Sequence, residues 1–232
     1  MRRSDVREPN VTVSGVRKHY AQLAPTYGAR ANAACARAYS GLVRRALGSA
    51  QRVLEIGAGT STLLPDLNAT STVAMDLSLP MLEAQPGPIT WERVVGDGQA
   101  MPFKDSAFDG VYAVNVLEHV PDPQRLTSEV GRLLSAGGRF VSVTPNGDLE
   151  GLLDVLEQLR LKLPEGPHRF LGFKEMAGLA GNAFRTLEHR RFLALPAGPA
   201  SLVTLVDRLL AGSHGRGLFQ YVVFEKRGAD SD

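Results

Sequence analysis

The chain has 232 residues, enough for one large domain with a substantial core, and its composition is that of an ordinary globular protein. Its 26 basic and 24 acidic residues leave a net charge of +2, too small an excess to indicate a nucleic-acid partner. The single cysteine cannot form an internal disulfide, and no apolar run approaches the roughly 18 residues of a membrane span. We therefore expect a soluble, cytoplasmic protein.

The N-terminal part of the chain is polar at first and then helical in pattern. Residues 1–14 predict a disordered tail, and residues 15–228 predict one domain. The helical pattern over residues 15–47 is broken at Pro25 and Gly28 into a short segment and a longer one.

One face of the short segment is apolar. Tyr20, Ala24 and Tyr27 recur at helical spacing, so this face can dock on the rest of the domain. We predict that residues 15–47 form a helical lid over the domain and that residues 15–30 are its mobile part. Cys35 lies in the longer segment, where a buried structural thiol is the expected role.

Short apolar runs alternate with helical patterns in the rest of the chain. The runs predict strands at Arg52–Ile56, Thr72–Met75, Trp91–Val95, Phe108–Val114, Arg139–Val143, Phe184–Leu193 and Leu218–Lys226. Helical patterns lie at Ser61–Leu67, Pro80–Ala84, Pro123–Leu134, Glu150–Leu161, Phe173–Ala180 and Ser201–Leu210. This alternation predicts an α/β, doubly wound, mostly parallel sheet that binds its ligand at the carboxyl ends of the strands.

A glycine turn follows the first predicted strand. The sequence Val53-Leu54-Glu55-Ile56-Gly57-Ala58-Gly59-Thr60-Ser61 leads from a strand through Gly-x-Gly into a helical pattern. Glycine lets a ligand approach the main chain closely, although a purely structural turn would use it too. The third glycine of the dinucleotide fingerprint would fall at Thr62, which disfavours an NAD site.

Asp76 ends the second predicted strand, 19 residues after Gly57. A carboxylate at this position can accept hydrogen bonds from the ribose hydroxyls of a nucleoside. The alternative is a structural aspartate at a helix N-cap or turn. NAD enzymes carry an acid in the same place, so Asp76 favours a nucleoside without choosing which one.

The order of motifs resembles the class I S-adenosylmethionine-dependent methyltransferases, in the branch of the ubiquinone/menaquinone C-methyltransferases and natural-product methyltransferases. The matching pieces are VLEIGAGTS, the acid in VAMDLS, GDGQAMPFKDSAFDGVYAVNVLEHV and LLSAGGRFVSVTPN, which cover residues 52–146. The pattern Tyr20-x-x-x-Ala24-x-x-Tyr27 resembles the lid helix of this branch, and His168-Arg169-Phe170 its segment before the sixth strand. The resemblance implies a Rossmann-like seven-stranded sheet with an antiparallel last strand.

The resemblance also implies a cofactor, S-adenosylmethionine, and roles for individual residues. Glu55 would lie beneath the methionine moiety, with Gly57, Ala58 and Gly59 passing close to it. Asp76 would hold the ribose hydroxyls, and Asp97 would accept from the adenine amino group. The other implied cofactor contacts are Tyr20, Tyr27, Leu77, Met81, Gly98, Gln99 and Asn115.

His119 is the candidate general base, because it lies directly after the fourth predicted strand. A packing or hydrogen-bonding role is the alternative, since the family often carries the Glu-His pair without using it chemically. Glu118 is expected to be a solvated or helix-start acid. No two histidines have the spacing of metal ligands, so no metal site is predicted.

These observations predict a methyltransferase that acts on a small-molecule acceptor in specialised metabolism. Methyl transfer of this kind depends mainly on proximity and orientation. The alternatives are a quinone C-methyltransferase, a protein that binds S-adenosylmethionine without methylating, and, disfavoured by Thr62, a dehydrogenase. Residues 15–47 and 147–217 lie outside the cofactor motifs and are expected to shape the acceptor site.

Overall fold

The computed structural model describes residues 11–30, 33–60, 63–151, 166–192 and 217–228. Its helices are α1 (Val13–Arg30), α2 (Ala33–Leu47), α3 (Leu79–Glu83), α4 (Pro123–Leu133) and α5 (Phe173–Gly178). Its strands are β1 (Arg52–Ile56), β2 (Ser71–Asp76), β3 (Glu92–Val95), β4 (Phe108–Val114), β5 (Leu134–Pro145), β6 (Phe184–Phe192) and β7 (Phe219–Lys226).

The seven strands form one sheet in the order β3-β2-β1-β4-β5-β7-β6. The pairs from β3 to β5 are parallel, whereas β7 runs antiparallel to both of its neighbours. The predicted Rossmann-like sheet with an antiparallel last strand is therefore confirmed. The strand order reverses between β1 and β4, and such a reversal opens a crevice at the carboxyl ends of these strands.

Hydrophobic side chains cover both faces of the sheet. Successive residues of a strand point to opposite faces, so Val53 and Leu54 of β1 belong to different core clusters. Helix α2 packs on one face through Tyr39, Leu42, Val43, Ala46 and Leu47. Helix α4 packs on the other face through Leu126, Val130 and Leu133. Of the lid predicted over residues 15–47, α2 thus belongs to the core.

The predicted break in the first helix is wrong. Helix α1 runs through both Pro25 and Gly28, although an interior proline costs about 3 kcal/mol because it removes a hydrogen bond and crowds the preceding turn. Docking of the helix offsets this cost. Val16 and Ala24 are buried, and the Tyr20 ring meets the Tyr27 ring edge-on with centroids 6.0 Å apart.

Other predicted boundaries differ from the structure at the ends of elements. Helix α1 starts at Val13, inside the predicted tail, and β5 starts five residues before the predicted Arg139. Within the predicted helix Ser61–Leu67, only Leu64–Asp66 forms a short 3-10 turn. The tail over residues 1–10, the helix Ser201–Leu210 and nearly all of the helix Glu150–Leu161 fall outside the described residues.

Candidate active site

A cavity of about 650 Å³ opens at the carboxyl ends of the first four strands, beneath α1. This volume lies within the roughly 300–1,000 Å³ typical of small-molecule sites. The cavity lining contains every residue predicted to contact the cofactor, and the candidate base: Tyr20, Tyr27, Glu55, Gly57, Ala58, Gly59, Asp76, Leu77, Met81, Asp97, Gly98, Gln99, Asn115 and His119. The fold therefore brings residues from five separate motifs to one place.

The glycine turn after β1 has a backbone that other residues rarely adopt. Gly57 has φ +65° and Gly59 has φ +51°. A Cβ on Gly57 would lie 2.4 Å from Cγ2 of Val116, so a side chain at this position would also clash. The turn lets the main chain, rather than side chains, form the floor of the cavity.

The Asp76 carboxylate fixes this turn. Its Oδ2 accepts the backbone N–H of Gly59 at 2.8 Å, and its Oδ1 accepts the N–H of Ser78 at 2.8 Å. Burial raises the pKa of Asp76, although the hydrogen bonds from the backbone oppose this shift. Each carboxylate oxygen can accept a further hydrogen bond, so Asp76 can still receive two hydroxyl donors from the cavity.

The loop after β3 holds a second carboxylate. Oδ1 of Asp97 accepts the backbone N–H of Gln99 at 2.9 Å, and its side-chain amide at 3.2 Å. Gln99 in turn is anchored to the start of α4, because its Oε1 accepts the N–H of Asp122 at 3.1 Å and its carbonyl accepts Nε of Arg125 at 3.0 Å. Packing leaves no space beside Gly98, where a Cβ would lie 2.8 Å from Cδ1 of Leu126.

Asn115 stands at the end of β4 in a left-handed conformation with φ +54°. Its N–H donates to the carbonyl of Val143 at 2.8 Å, which holds this strained residue at the sheet edge. Its side-chain Oδ1 is buried without a hydrogen-bond partner among the described residues. An acceptor of this kind in a cavity wall is suited to bind a donor on a ligand.

The cavity lining is acidic. Glu55, only 3% exposed, Asp76 and Asp97 contribute carboxylates, while the described lining contains neither lysine nor arginine. Such a site favours a ligand with positive charge. A sulfonium ion with an α-ammonium group and donor hydroxyls meets this requirement, so these residues fit S-adenosylmethionine.

His119 is buried, and hydrogen bonds engage both of its ring nitrogens. Its Nδ1 lies 3.0 Å from the carbonyl of Pro167, and its Nε2 lies 2.9 Å from the hydroxyl of Tyr20. A carbonyl can only accept, so Nδ1 carries the proton and Nε2 accepts the Tyr20 O–H. The candidate base is therefore joined to the predicted lid helix.

Glu118 lies in the first turn of a short 3-10 helix, as the helix-start expectation has it, but the alternative of a solvated side chain is wrong. Glu118 is fully buried, and its Oε2 accepts the hydroxyl of Thr144 at 2.8 Å. The short 3-10 turn Leu117–His119 carries Glu118 inward against β5, opposite to the solvated position expected of a polar helix start. Its position supports the turn that presents His119.

The structure adds residues to the cavity wall that the sequence did not single out. Cys35 is buried as predicted, but with Tyr39 and Phe219 it also lines an apolar part of the cavity. Burial raises the pKa of Tyr39 well above its usual value, so this phenol stays neutral. The spacing of Cys35 and Tyr39 indicated one helix face, but no sequence signal shows which faces border a cavity.

A buried polar chain supports the glycine turn from behind. The side-chain amide of Gln85 donates to the carbonyl of Gly59 at 3.1 Å, and Nε1 of Trp91 donates to Oε1 of Gln85 at 2.9 Å. Both side chains are more than nine-tenths buried. Gln85 and Trp91 therefore position the glycine turn from outside the cavity, whereas Asp76 both holds the turn and lines the cavity.

The remaining histidines have separate surroundings. His19 packs on Gly166, where a Cβ would lie 2.6 Å from its ring, and Nδ1 of His168 donates to the carbonyl of Gly166 at 2.8 Å. His189 stacks on Phe173, with ring centroids 3.6 Å apart. His214 lies outside the described residues. Within the described ranges, no group of three His, Cys, Asp or Glu residues is placed to hold a metal ion.

No helix in the described part of the chain is both long and apolar enough to cross a membrane.

Comparison with known proteins agrees with this geometry. Residues 54–142 match the family model of a methyltransferase domain. The ubiquinone/menaquinone biosynthesis C-methyltransferase of Ruegeria sp. is 33% identical over 121 residues, which cover 45% of this chain and 48% of that relative. The chain thus spans about half the length, or less, of the first curated relatives that it matches.

Solved structures share the fold. An S-adenosylmethionine-dependent methyltransferase from Thermotoga maritima gives a TM-score of 0.64 at 18% identity, covering 92% of this chain and 100% of that chain. A 4+2 cyclase gives a TM-score of 0.69 at 16% identity, covering 94% of this chain and 98% of that chain. At these identities the likeness is one of fold alone.

The family match falls on the strands and turns that build the cavity, from the glycine turn to β5. S-adenosylmethionine, the cofactor that the sequence motifs predict, is the cofactor of that family. Residues 54–142 thus match a methyltransferase domain, and the chain is similar over less than half of its length to ubiquinone/menaquinone-type methyltransferases.

Proposed function

We propose that this protein transfers a methyl group from S-adenosylmethionine to a small molecule, in the specialised metabolism of the cytoplasm. One observation carries the proposal: a single acidic cavity gathers the glycine turn, Asp76, Asp97 and the Tyr20–His119 pair. The acceptor would enter beside the cofactor, and the segment over residues 147–217, much of it outside the described residues, would help to shape its site.

The described residues suit distinct parts of the cofactor. Asp76 would accept from the ribose hydroxyls, and Asp97 from the adenine amino group, with Gly98 and Gln99 beside the ring. Leu77 and Met81, which line the cavity, would pack on the adenosine. Glu55 and the turn from Gly57 to Gly59 would face the methionine part of the cofactor. Asn115 would contact the cofactor at the end of β4, and Tyr27 would close over its carboxylate end.

The bound sulfonium would supply an electrophilic methyl group, so the protein needs chiefly to align an acceptor and exclude water. Orientation alone can contribute on the order of 7–11 kcal/mol in favourable cases. Helix α1 covers the cavity and is suited to exclude water, because Tyr20, Ala24 and Tyr27 all line it from above.

We expect α1 to act as a lid that opens and closes. No described side chain of α1 belongs to either core cluster, whereas α2 contributes six, so α1 can move without disturbing the core. S-adenosylhomocysteine should sharply increase the protection of the amides of residues 15–30 in hydrogen exchange. The amides of α2 serve as the internal control, since their protection should change little. Equal protection of residues 15–30 with and without the ligand would rule out a moving lid.

A quinone-type C-methyltransferase is the second candidate, favoured by the 33% identity to the Ruegeria enzyme. Its acceptor would be an aromatic ring activated by a neighbouring hydroxyl group. A methyl-transfer assay over a panel of acceptors, with quinols among them, would separate this candidate from other small-molecule methyltransferases. The structure of the product shows which atom of the acceptor has been methylated.

A protein that binds S-adenosylmethionine without methylating is the third candidate, since a cyclase shares the fold. Calorimetric titration with S-adenosylhomocysteine and, separately, with NADH tests which cofactor the cavity binds. We expect binding of S-adenosylhomocysteine only, followed by methyl transfer to at least one acceptor of the panel. Binding of NADH in its place would contradict the proposed function, and binding without any transfer would favour the non-catalytic candidate.

A further inference from the structure

Two buried side chains outside the cavity, Gln85 and Trp91, hold the carbonyl of Gly59. The side-chain amide of Gln85 donates to this carbonyl at 3.1 Å, and Nε1 of Trp91 donates to Oε1 of Gln85 at 2.9 Å. The two partners fix the orientation of the amide, because an indole N–H can only donate and a backbone carbonyl can only accept. The donors therefore run in one direction, from Trp91 through Gln85 to the glycine turn.

Gly59 needs such a clamp because its own backbone does not restrict it. Glycine adopts left-handed and right-handed torsions with similar ease, and Gly59 has φ +51°. Its N–H donates to Oδ2 of Asp76 at 2.8 Å, which fixes the peptide before it. Gln85 holds its carbonyl, which belongs to the peptide after it. Side chains from two different elements thus fix the two peptide groups of one residue.

The direction of the Gly59 carbonyl decides what the turn presents to the cavity. The C=O and N–H of a trans peptide point in opposite directions. Thr60 lines the cavity and Gln85 does not, so a carbonyl that points to Gln85 turns the N–H of Thr60 towards the cavity. A rotated peptide would instead present a carbonyl oxygen, in a lining that already contains the carboxylates of Glu55 and Asp76.

We propose that Gln85 and Trp91 are positioning residues for cofactor binding, because they keep the Gly59–Thr60 peptide with its N–H, and not its carbonyl, towards the ligand. This inference rests on the proposed S-adenosylmethionine site. That cofactor carries a carboxylate, and the described lining has neither lysine nor arginine to meet it. Backbone N–H groups are then the donors that the turn can offer, and their direction determines the affinity.

The hydrophobic core supports the pair. Trp91 lies directly before β3, is 8% exposed and belongs to the same core cluster as Leu82 of α3. Ala84 and Pro86, on either side of Gln85, line the cavity. The bond from Trp91 to Gln85 therefore anchors a segment of the cavity wall to the core, and the Gln85 amide reaches the turn from a fixed position.

The test measures the Kd of S-adenosylhomocysteine by calorimetry on the full chain. Gln85→Leu removes the donor to Gly59 and should weaken binding by about tenfold, the scale of one lost hydrogen bond. Trp91→Phe keeps that donor but removes the support of Gln85, so it should weaken binding by a smaller factor, about threefold. Denaturant unfolding of each variant establishes that the protein titrated is folded.

Gln85→Glu gives a readout that a merely structural role would not move. The introduced carboxyl keeps the size of the amide and the acceptor for Trp91, but it can donate to the Gly59 carbonyl only when protonated. Burial and the facing carbonyl raise its pKa. Compared with wild type at the same pH, this variant should therefore bind S-adenosylhomocysteine about tenfold more weakly at high pH and recover as the pH falls through that pKa.

Gln220→Glu is the matched control. Gln220 is also fully buried, and its amide donates to the carbonyl of Leu171 at 2.6 Å, but it does not line the cavity. This variant should lose stability and keep the wild-type Kd at each pH. Wild-type Kd values for folded Gln85→Leu and Trp91→Phe, or no recovery of Gln85→Glu at low pH, would overturn the positioning role. Failure of the wild-type protein to bind S-adenosylhomocysteine would overturn the proposed function instead.

Discussion

Gly57→Ala should destabilise the protein by roughly 2–5 kcal/mol, the sum of a left-handed backbone and an overpacked contact. Gly57 has φ +65°, and an added Cβ would lie 2.4 Å from Cγ2 of Val116, with its Cγ1 at 3.3 Å. Rotation of the valine side chain relieves the shorter contact only in the rotamer that turns Hβ toward Gly57, and a methyl group then still occupies the position at 3.3 Å. Denaturant unfolding of the purified variant measures the loss.

Gly87→Ala is the matched control. Gly87 also has positive φ, +79°, but a Cβ there would meet nothing within 4 Å. It should cost only the backbone strain, about 1–2 kcal/mol. The double variant Gly57→Ala/Val116→Ala should recover the part of the loss that comes from the clash. Equal losses for Gly57→Ala and Gly87→Ala would show that close packing of the turn on Val116 is not what requires glycine.

Asp76→Ala should weaken binding of S-adenosylmethionine by about 1–3 kcal/mol, or roughly 5- to 150-fold, the scale of lost hydrogen bonds to a charged group. The variant removes the proposed acceptor for the ribose hydroxyls and frees the backbone N–H groups of Gly59 and Ser78. Calorimetric titration of the folded variant measures the effect. An unchanged affinity would contradict the assignment of Asp76 to the ribose.

Asp109→Ala is the matched control for Asp76→Ala, because it removes a carboxylate that holds backbone N–H groups but does not line the cavity. The Oδ1 of Asp109 also accepts two backbone N–H groups, those of Gln51 and Arg52, both at 2.8 Å. It does so at the amino end of β1, away from the cavity. Its loss should therefore reduce stability without changing cofactor affinity.

The pH dependence of binding follows from the surroundings of Asp76. Burial raises the pKa of this carboxyl above that of an ordinary aspartate. The ionised form is the better acceptor, so wild-type affinity should fall as the pH drops through this raised pKa. The stability of the ligand-free protein changes in the opposite sense, because protonation in the folded state stabilises it and this contribution is lost as the pH rises through the same pKa. In Asp76→Ala, both effects of this carboxyl should disappear.

The sequence by itself determined the sheet and the proposed cofactor end of the site. The apolar runs of β1 and β4 match the observed strands residue for residue, and those of the other strands differ mainly at their ends. The motif residues all lie at strand ends: Gly57 follows β1, Asp76 is the last residue of β2, and Asp97 comes two residues after β3. Parallel strands end at one edge of a sheet, so the chain order of these motifs already implied that they would share a cavity.

Only the tertiary structure decided how the outer parts of the site are arranged. The sequence predicted a helix broken at Pro25, but docking of α1 over the cavity outweighs the local preference of proline. It predicted a solvated or helix-start Glu118; the residue does lie in a helical first turn, but packing against β5 buries its side chain. The contact of Tyr20 with His119 depends on how a helix lies across a sheet 99 residues away in the chain. Hydrophobic periodicity specifies which face of a helix is buried, but not which distant side chain that face will meet.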